Sequence, residues 1–118
     1  MQAFLIDPFA CAVTAVEYDG DYRSIYRLID AELFDAVSVD GRGTTLFVDD
    51  EGLARDWQRF FIHAGYPQPL AGKALVLGTN RAGGSVAPGV TLEQVAAAVQ
   101  WVAPVRIADG MAWVEVFE

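Results

Sequence analysis

The residues best suited to chemistry sit near the middle of the chain. Asp49, Asp50 and Glu51 are three consecutive carboxylates, the densest set of hard oxygen ligands in the 118-residue sequence. A Ca²⁺ or Mg²⁺ site needs several such oxygens converging on one point. Neighbouring residues of a strand point to opposite faces, so at most two of the three converge without a turn. The calcium-loop pattern of alternating acids closed by a glutamate at the twelfth position is absent. An acidic strand end or helix start, with Asp49 or Asp50 capping the next segment, accounts for the run without a metal.

The other reactive side chains are isolated. His63 is the single histidine and Cys11 the single cysteine, so zinc would have to be completed by carboxylates. The serines available to a nucleophilic triad are Ser24, Ser38 and Ser85, and none stands in a nucleophile-elbow context. Cys11 lies among small apolar residues and reads as a buried free thiol in a reducing compartment. Gly72-Lys73 resembles the end of a phosphate-binding loop, but Ala74 stands where Ser or Thr would hold Mg²⁺. The lysine also enters a strand rather than a helix. The glycine-rich stretch 78–84, with Arg81, has the composition to wrap an anion, although a mobile hairpin tip is the commoner outcome. The expectation is a protein with no metal, no cofactor and no catalytic residues.

Binding is the better-supported chemistry. Residues 17–56 hold eleven of the sixteen acids and four of the eight basic residues, a net of −7 in a chain of net −8. Direct contact with nucleic acid, which needs a basic face, is disfavoured. Such acidity serves solubility, and it also suits competition for a basic partner. Tyr18, Tyr22, Tyr26, Trp57 and Tyr66 are candidates for rigid contact area. Glu17, Asp19, Asp21, Asp49, Asp50 and Glu51 then form the expected acidic face, with Tyr22 and Tyr66 among its contacts. A competing expectation is a nucleotide or metabolite pocket lined by Tyr66, Gln68 and Lys73 with a carboxylate from the 49–51 run. A self-associating structural protein is a third.

Pattern also yields the helices and strands that carry these side chains. Apolar residues make up 53% of the chain, which suits one packed domain over 1–118. Residues 3–6 and 12–17 read as strands about an Asp-Pro turn. Asp21 is the expected N-cap of a helix over 22–34, whose Tyr22, Ile25, Leu28 and Ile29 share a face. Residues 36–39 and 44–48 alternate with period two about a Gly-bearing turn, a hairpin. Residues 51–64 fit a helix ending at Gly65, yet Phe60, Phe61 and Ile62 equally fit a short strand. Two close prolines make 65–72 an ordered loop. It leads into 74–77, apolar on both faces and therefore central to a sheet, and a polar loop over 79–89 comes next. Thr91 and Gln94 match a capping box opening a helix that Pro104 ends. Residues 105–108 and 111–117 form a hairpin about Asp109-Gly110, anchored by Trp113. The sum is an α+β domain with a mostly antiparallel or mixed sheet of about six or seven short strands and two or three helices. No apolar run reaches the ~20 residues of a membrane span, and the first residues do not read as a signal peptide.

Three strings add a resemblance: YDGDYRSIYRLID at 18–30, LFVDDEGL at 46–53 and GYPQPLAGKALVLGT at 65–79. Together, over roughly residues 3–102, they resemble a family of short uncharacterised proteins encoded by bacteriophages and other mobile elements. The hairpin 105–118 lies outside it. The resemblance carries no activity or catalytic residues. It implies a bacterial cytoplasm and an accessory role during infection or element maintenance. The leading expectation is a non-catalytic protein that binds a host or phage protein, such as a defence component or a nucleic-acid enzyme.

Overall fold

The computed structural model of the chain describes residues 1–52 and 58–116. Its centre is the strand expected to be central. Strands β1 (Gln2–Asp7), β2 (Ala12–Glu17), β3 (Phe34–Ser38) and β4 (Thr44–Asp49) precede β5 (Phe60–His63) and β6 (Leu70–Ala71). Then come β7 (Ala74–Thr79), β8 (Ser85–Val86), β9 (Val99–Ile107) and β10 (Gly110–Glu115). Helix α1 is Arg23–Leu28 and α2 is Leu92–Ala98. One sheet has the order β2-β1-β7-β4-β3, with β8 pairing the end of β7, and the other has the order β10-β9-β5-β6. The pairings are antiparallel.

β7 explains why the first sheet is covered on both sides. Ala74 and Val76 face one way and Leu75 and Leu77 the other, and all four are fully buried, as alternation requires. Ala74 and Val76 join Phe4, Ile6, Leu46 and Val48 in a core closed by Phe61 of β5 and by Val95 and Val99 at α2. Leu75 and Leu77 join Ala3 and Tyr18 beneath Ile25 and Ile29 of the α1 segment. The chain is therefore layered: helix α1, the first sheet, then the second sheet with α2.

Several boundaries differ from expectation. There are ten strands among the described residues, more than six or seven, and two helices. β6 and β8 are two-residue strands hidden inside stretches whose prolines and glycines read as loop. Residues 60–63 form a strand, while the helix considered over 51–64 falls in part on 53–57, outside the described residues. α1 is half its expected length. Asp30 takes a left-handed φ of 54° and the Ala31 N–H donates to Tyr26 O, so the chain turns away before β3 begins. Tyr22, not Asp21, occupies the N-cap position, and Asp21 Oδ1 instead accepts the Arg23 N–H.

α2 keeps its capping box, with Thr91 Oγ1 accepting from Gln94 N and Gln94 Oε1 from Thr91 N. It ends at Ala98, however, not at Pro104. From Val99 onward β-branched residues find a partner in β5, and pairing overrides the helical stripe. Pro104 sits inside β9. The Val116 N–H donates to Trp101 O, which makes the Pro104–Trp113 pair a non-hydrogen-bonded one. Its missing N–H faces the side where β5 has already ended at Val102.

Candidate functional site

The first sheet ends in a row of charges. Ile6 of β1 and Val48 of β4 both pair with Ala74, so Asp7, Lys73 and Asp49 come next, side by side across three strands. Their parity places them on the face of Leu75, the side covered by α1. Asp30, just past α1, reaches the lysine from that layer, with Asp30 Oδ2 2.5 Å from Lys73 Nζ. That hydrogen bond raises the Lys73 pKa, against the opposing effect of burial, with the nearby Asp7 charge also contributing. A cavity of about 460 Å³ opens here, lined by Asp7, Phe9, Asp30, Asp49 and Lys73. Asp30 is the carboxylate bonded to Lys73, and Asp7 and Asp49 line the same cavity.

A second cavity, of about 260 Å³, lies on the other side of Asp49. Asp49, Asp50, Glu51, Tyr66 and Gln68 line it together with Asp35. Asp49 is 9% exposed and accepts the Glu51 N–H at 2.9 Å, which folds the three acids into a tight turn. Asp50 and Glu51 are exposed, and the Asp50 N–H donates to Leu33 O. The loop bearing Tyr66 is held by Gly65. A Cβ there would lie 1.8 Å from Val39 O, so only glycine fits. Gly65 N–H donates to His63 Nδ1 at 2.9 Å. His63 is thus a buried acceptor that orients the loop. Burial lowers its pKa, with Asp40 pulling the other way.

The expected acidic face divides. Asp49, Asp50 and Glu51 meet Tyr66 and Gln68, while Lys73 lies in the adjoining cavity and meets them through Asp49. Glu17, Asp19 and Asp21 line or border a different region, beside Ser24 and Arg27. There the charges are already engaged. Glu17 pairs with the N-terminal ammonium at 2.8 Å, and Asp21 holds Arg23 through both oxygens. Asp19 accepts from the Ser24 hydroxyl and the Asp21 N–H, and these bonds lower its pKa. The Arg23 contact does the same for Asp21. Tyr22 is 61% exposed and stacks edge-on against Tyr26, whereas Tyr18 is buried core. Trp57 lies outside the described residues.

Other candidates resolve as structural. The tip over 80–84 spends its N–H groups on Asn80, whose Oδ1 accepts from Ala82 and Gly84. It is not an open anion cradle. Ser24 Oγ sits between Asp19 and Arg27, remote from a histidine in its bonding. No group of metal-ligating side chains is found among the described residues. No helix among them is long and apolar enough to cross a membrane.

Residues 1–100 match the model of a domain of unknown function, DUF3846, and the chain belongs to that family. The charge row and both cavities draw their described residues from this matched part. The chain is also 32% identical over 96 residues to an uncharacterized protein, y4iR, of Sinorhizobium fredii. That alignment covers 80% of this chain and 59% of the relative, so the chain spans about three-fifths of the relative's length. No solved structure matches the chain.

Proposed function

We propose that this chain is a non-catalytic binding protein that takes a basic group of a protein partner in the paired cavities on either side of Asp49. The observation that supports this is the meeting of Asp49, Asp50 and Glu51 with Tyr66 and Gln68 in one concavity, beside a second concavity lined by Asp7, Asp30 and Lys73. A guanidinium or ammonium entering there meets convergent oxygens and an aromatic wall. The surrounding charge of −8 steers such a partner inward. Glu17, Asp19 and Asp21 contribute to that field at long range, since their near contacts are taken. The partner we favour is a host or phage protein whose own ligand is nucleic acid. In that setting the chain acts in a bacterial cytoplasm as a phage or mobile-element accessory, for example as an inhibitor of a defence protein.

Capture of partners on immobilised chain tests this, using wild type and the exposed pair Asp50→Asn and Glu51→Gln together. Loss of a specific partner in the variant, and weakening with salt in wild type, is the expected result. Equal recovery from both proteins at every salt concentration defeats the acidic-cavity mechanism. A second reading, a small ligand such as a nucleotide or metabolite in the same concavity, is favoured by its concave shape and by the Tyr66 and Gln68 that line it. A ligand bound only by the folded state raises the melting temperature. A rise with a nucleotide or a small amine, lost in the same variant, selects that reading over a protein partner.

A further inference from the structure

The free edge of β10 differs from the other sheet edges among the described residues. β2 lies against α2, β3 carries Asp35, and β6 is two residues long and preceded by Pro69. These are the usual guards against edge pairing. β10 reads GMAWVE, with no proline, no lysine and no charge before Glu115, and it ends its sheet. The Val116 N–H bond to Trp101 O fixes the phase of the hairpin. Even-numbered residues of β10 bond to β9, so the N–H and C=O groups of Met111, Trp113 and Glu115 point along the open edge. Both faces beside that edge are apolar. Val105, Ile107 and Val114 share one face and are 37%, 50% and 42% exposed, and Met111 on the other is 61% exposed.

We propose that a second copy of this chain adds to β10, antiparallel, about a two-fold axis through Trp113, to make one continuous sheet of eight strands. Two copies must keep their faces aligned and their free N–H and C=O groups opposed. The register meeting both conditions with the most bonds sets Trp113 against the partner subunit's Trp113 and Met111 against the partner subunit's Glu115. It forms about six main-chain hydrogen bonds. On the other face Ala112 meets the partner's Val114. Arg106 is paired with Met111, so it shares a face with the partner's Glu115 two strand spacings away, about 10 Å. The two-fold repeats that opposite-charge relation. This self-complementarity points to a second copy and not to an unrelated strand. The chain's net charge of −8 resists close approach by another copy elsewhere, whereas β9, β10 and the turn between them carry only Arg106, Asp109 and Glu115 as charges. Most of the hairpin also lies beyond residues 1–100, the part that matches the family model.

Sedimentation of the full chain over a range of concentrations tests the assignment. The expected result is a reversible dimer of twice the chain mass, with Met111, Trp113 and Glu115 amides protected from exchange and deprotected on dilution. Met111→Pro removes an outward N–H that the single chain does not use, and Val114→Lys places a charge beside the partner's Ala112. Each is expected to give a monomer with an unchanged circular dichroism spectrum, the lysine variant serving if the proline variant misfolds. A wild-type monomer at all concentrations overturns the proposal. So does a dimer that survives the edge substitutions, or slow exchange of those three amides in a monomer, which would mean the chain covers its own edge.

Discussion

Two apolar strands of this molecule, β7 and the distal half of β9, have similar composition and opposite fates. ALVLGT of β7 is enclosed between β1 and β4 and roofed on both faces, and Ala74 to Leu77 lose all contact with water. APVRI at the end of β9 has β10 on one side, nothing of β5 beyond Val102 on the other, and exposed Val105 and Ile107. Neighbours, not hydrophobicity, decide which strand becomes core. The first region supplies the stability of the fold, and the second supplies a surface that one chain leaves uncovered.

The sharpest way to break that contrast is a pair of truncations. Leu77→Ala in β7 is expected to cost about 4 kcal/mol, the range for a buried leucine with little room to relax. Ile107→Ala in a single chain should cost under about 0.5 kcal/mol, as for surface changes generally. Urea denaturation of each at low protein concentration measures both. A comparable loss from the two would mean that the hairpin tip is core after all. Gly65→Ala comes next. The Cβ would overlap Val39 O, where the loop from β5 crosses the chain next to β3, and overpacking of this kind costs about 3 kcal/mol. The same denaturation series checks it, with Gly41→Ala as the partner measurement. Gly41 has open space around it but a φ of +67°, so its cost is backbone strain alone, about 1 kcal/mol.

The contrast also marks where sequence reading works. β7 was legible because an apolar run with no polar face admits few positions other than a central one, and the capping box at Thr91 and Gln94 was legible because it is local. The end of α2 was not, because Val99 and Val102 suit a helical stripe until β5 offers them a partner. The first helix was overextended for a similar reason: the apolar spacing runs past the point where Asp30 turns left-handed. At the candidate site, the grouping of Asp49, Asp50 and Glu51 with Tyr66 and Gln68 could be anticipated as an alternative. Asp7 and Asp30 could not be assigned to it. Their place beside Lys73 depends on the register of β1, β7 and β4 and on where α1 stops, and neither is written locally. The single acidic face failed because charge counting does not reveal that Glu17, Asp19 and Asp21 already hold the N-terminus, Ser24 and Arg23.

Acid should loosen the junction between the two regions before it reaches the core of either. His63 on β5 is buried, its pKa lies below the usual 6.5, and its Nδ1 accepts the Gly65 N–H. The unfolded chain therefore binds a proton more readily than the folded one. Stability is complete above pH 6.5 and falls as pH drops through the folded value. Protonation also ends the Gly65 bond, and stranding such a donor costs about 2 kcal/mol. Thermal melts between pH 7.5 and 5 should show a decline that His63→Gln flattens (the amide still offers an acceptor). A decline unchanged in that variant assigns the acid sensitivity elsewhere.

The smallest effect concerns the charge row at the end of β7, and it tests whether that end belongs to the stable region or to the binding surface. Lys73 bonds Asp30, whose side chain is 69% exposed, so solvent screens the pair and its worth is roughly 0.5 kcal/mol. The raised Lys73 pKa gives this contribution a sign: it is present below pH 10.5 and lost as pH climbs through the folded value. Tyr18, whose pKa is raised mainly by burial, loses stability in the same alkaline direction. A wild-type scan alone therefore mixes the two groups. Asp30→Asn separates them, because it removes the lysine's partner and leaves Tyr18 in place. Denaturation midpoints at pH 7 should fall slightly in the variant, and part of the alkaline decline should disappear. A loss of several kcal/mol at pH 7 would instead make the row a structural clamp. A clamp of that kind has no charge to spare for a partner, and the proposed binding cavity would lose its chemical basis.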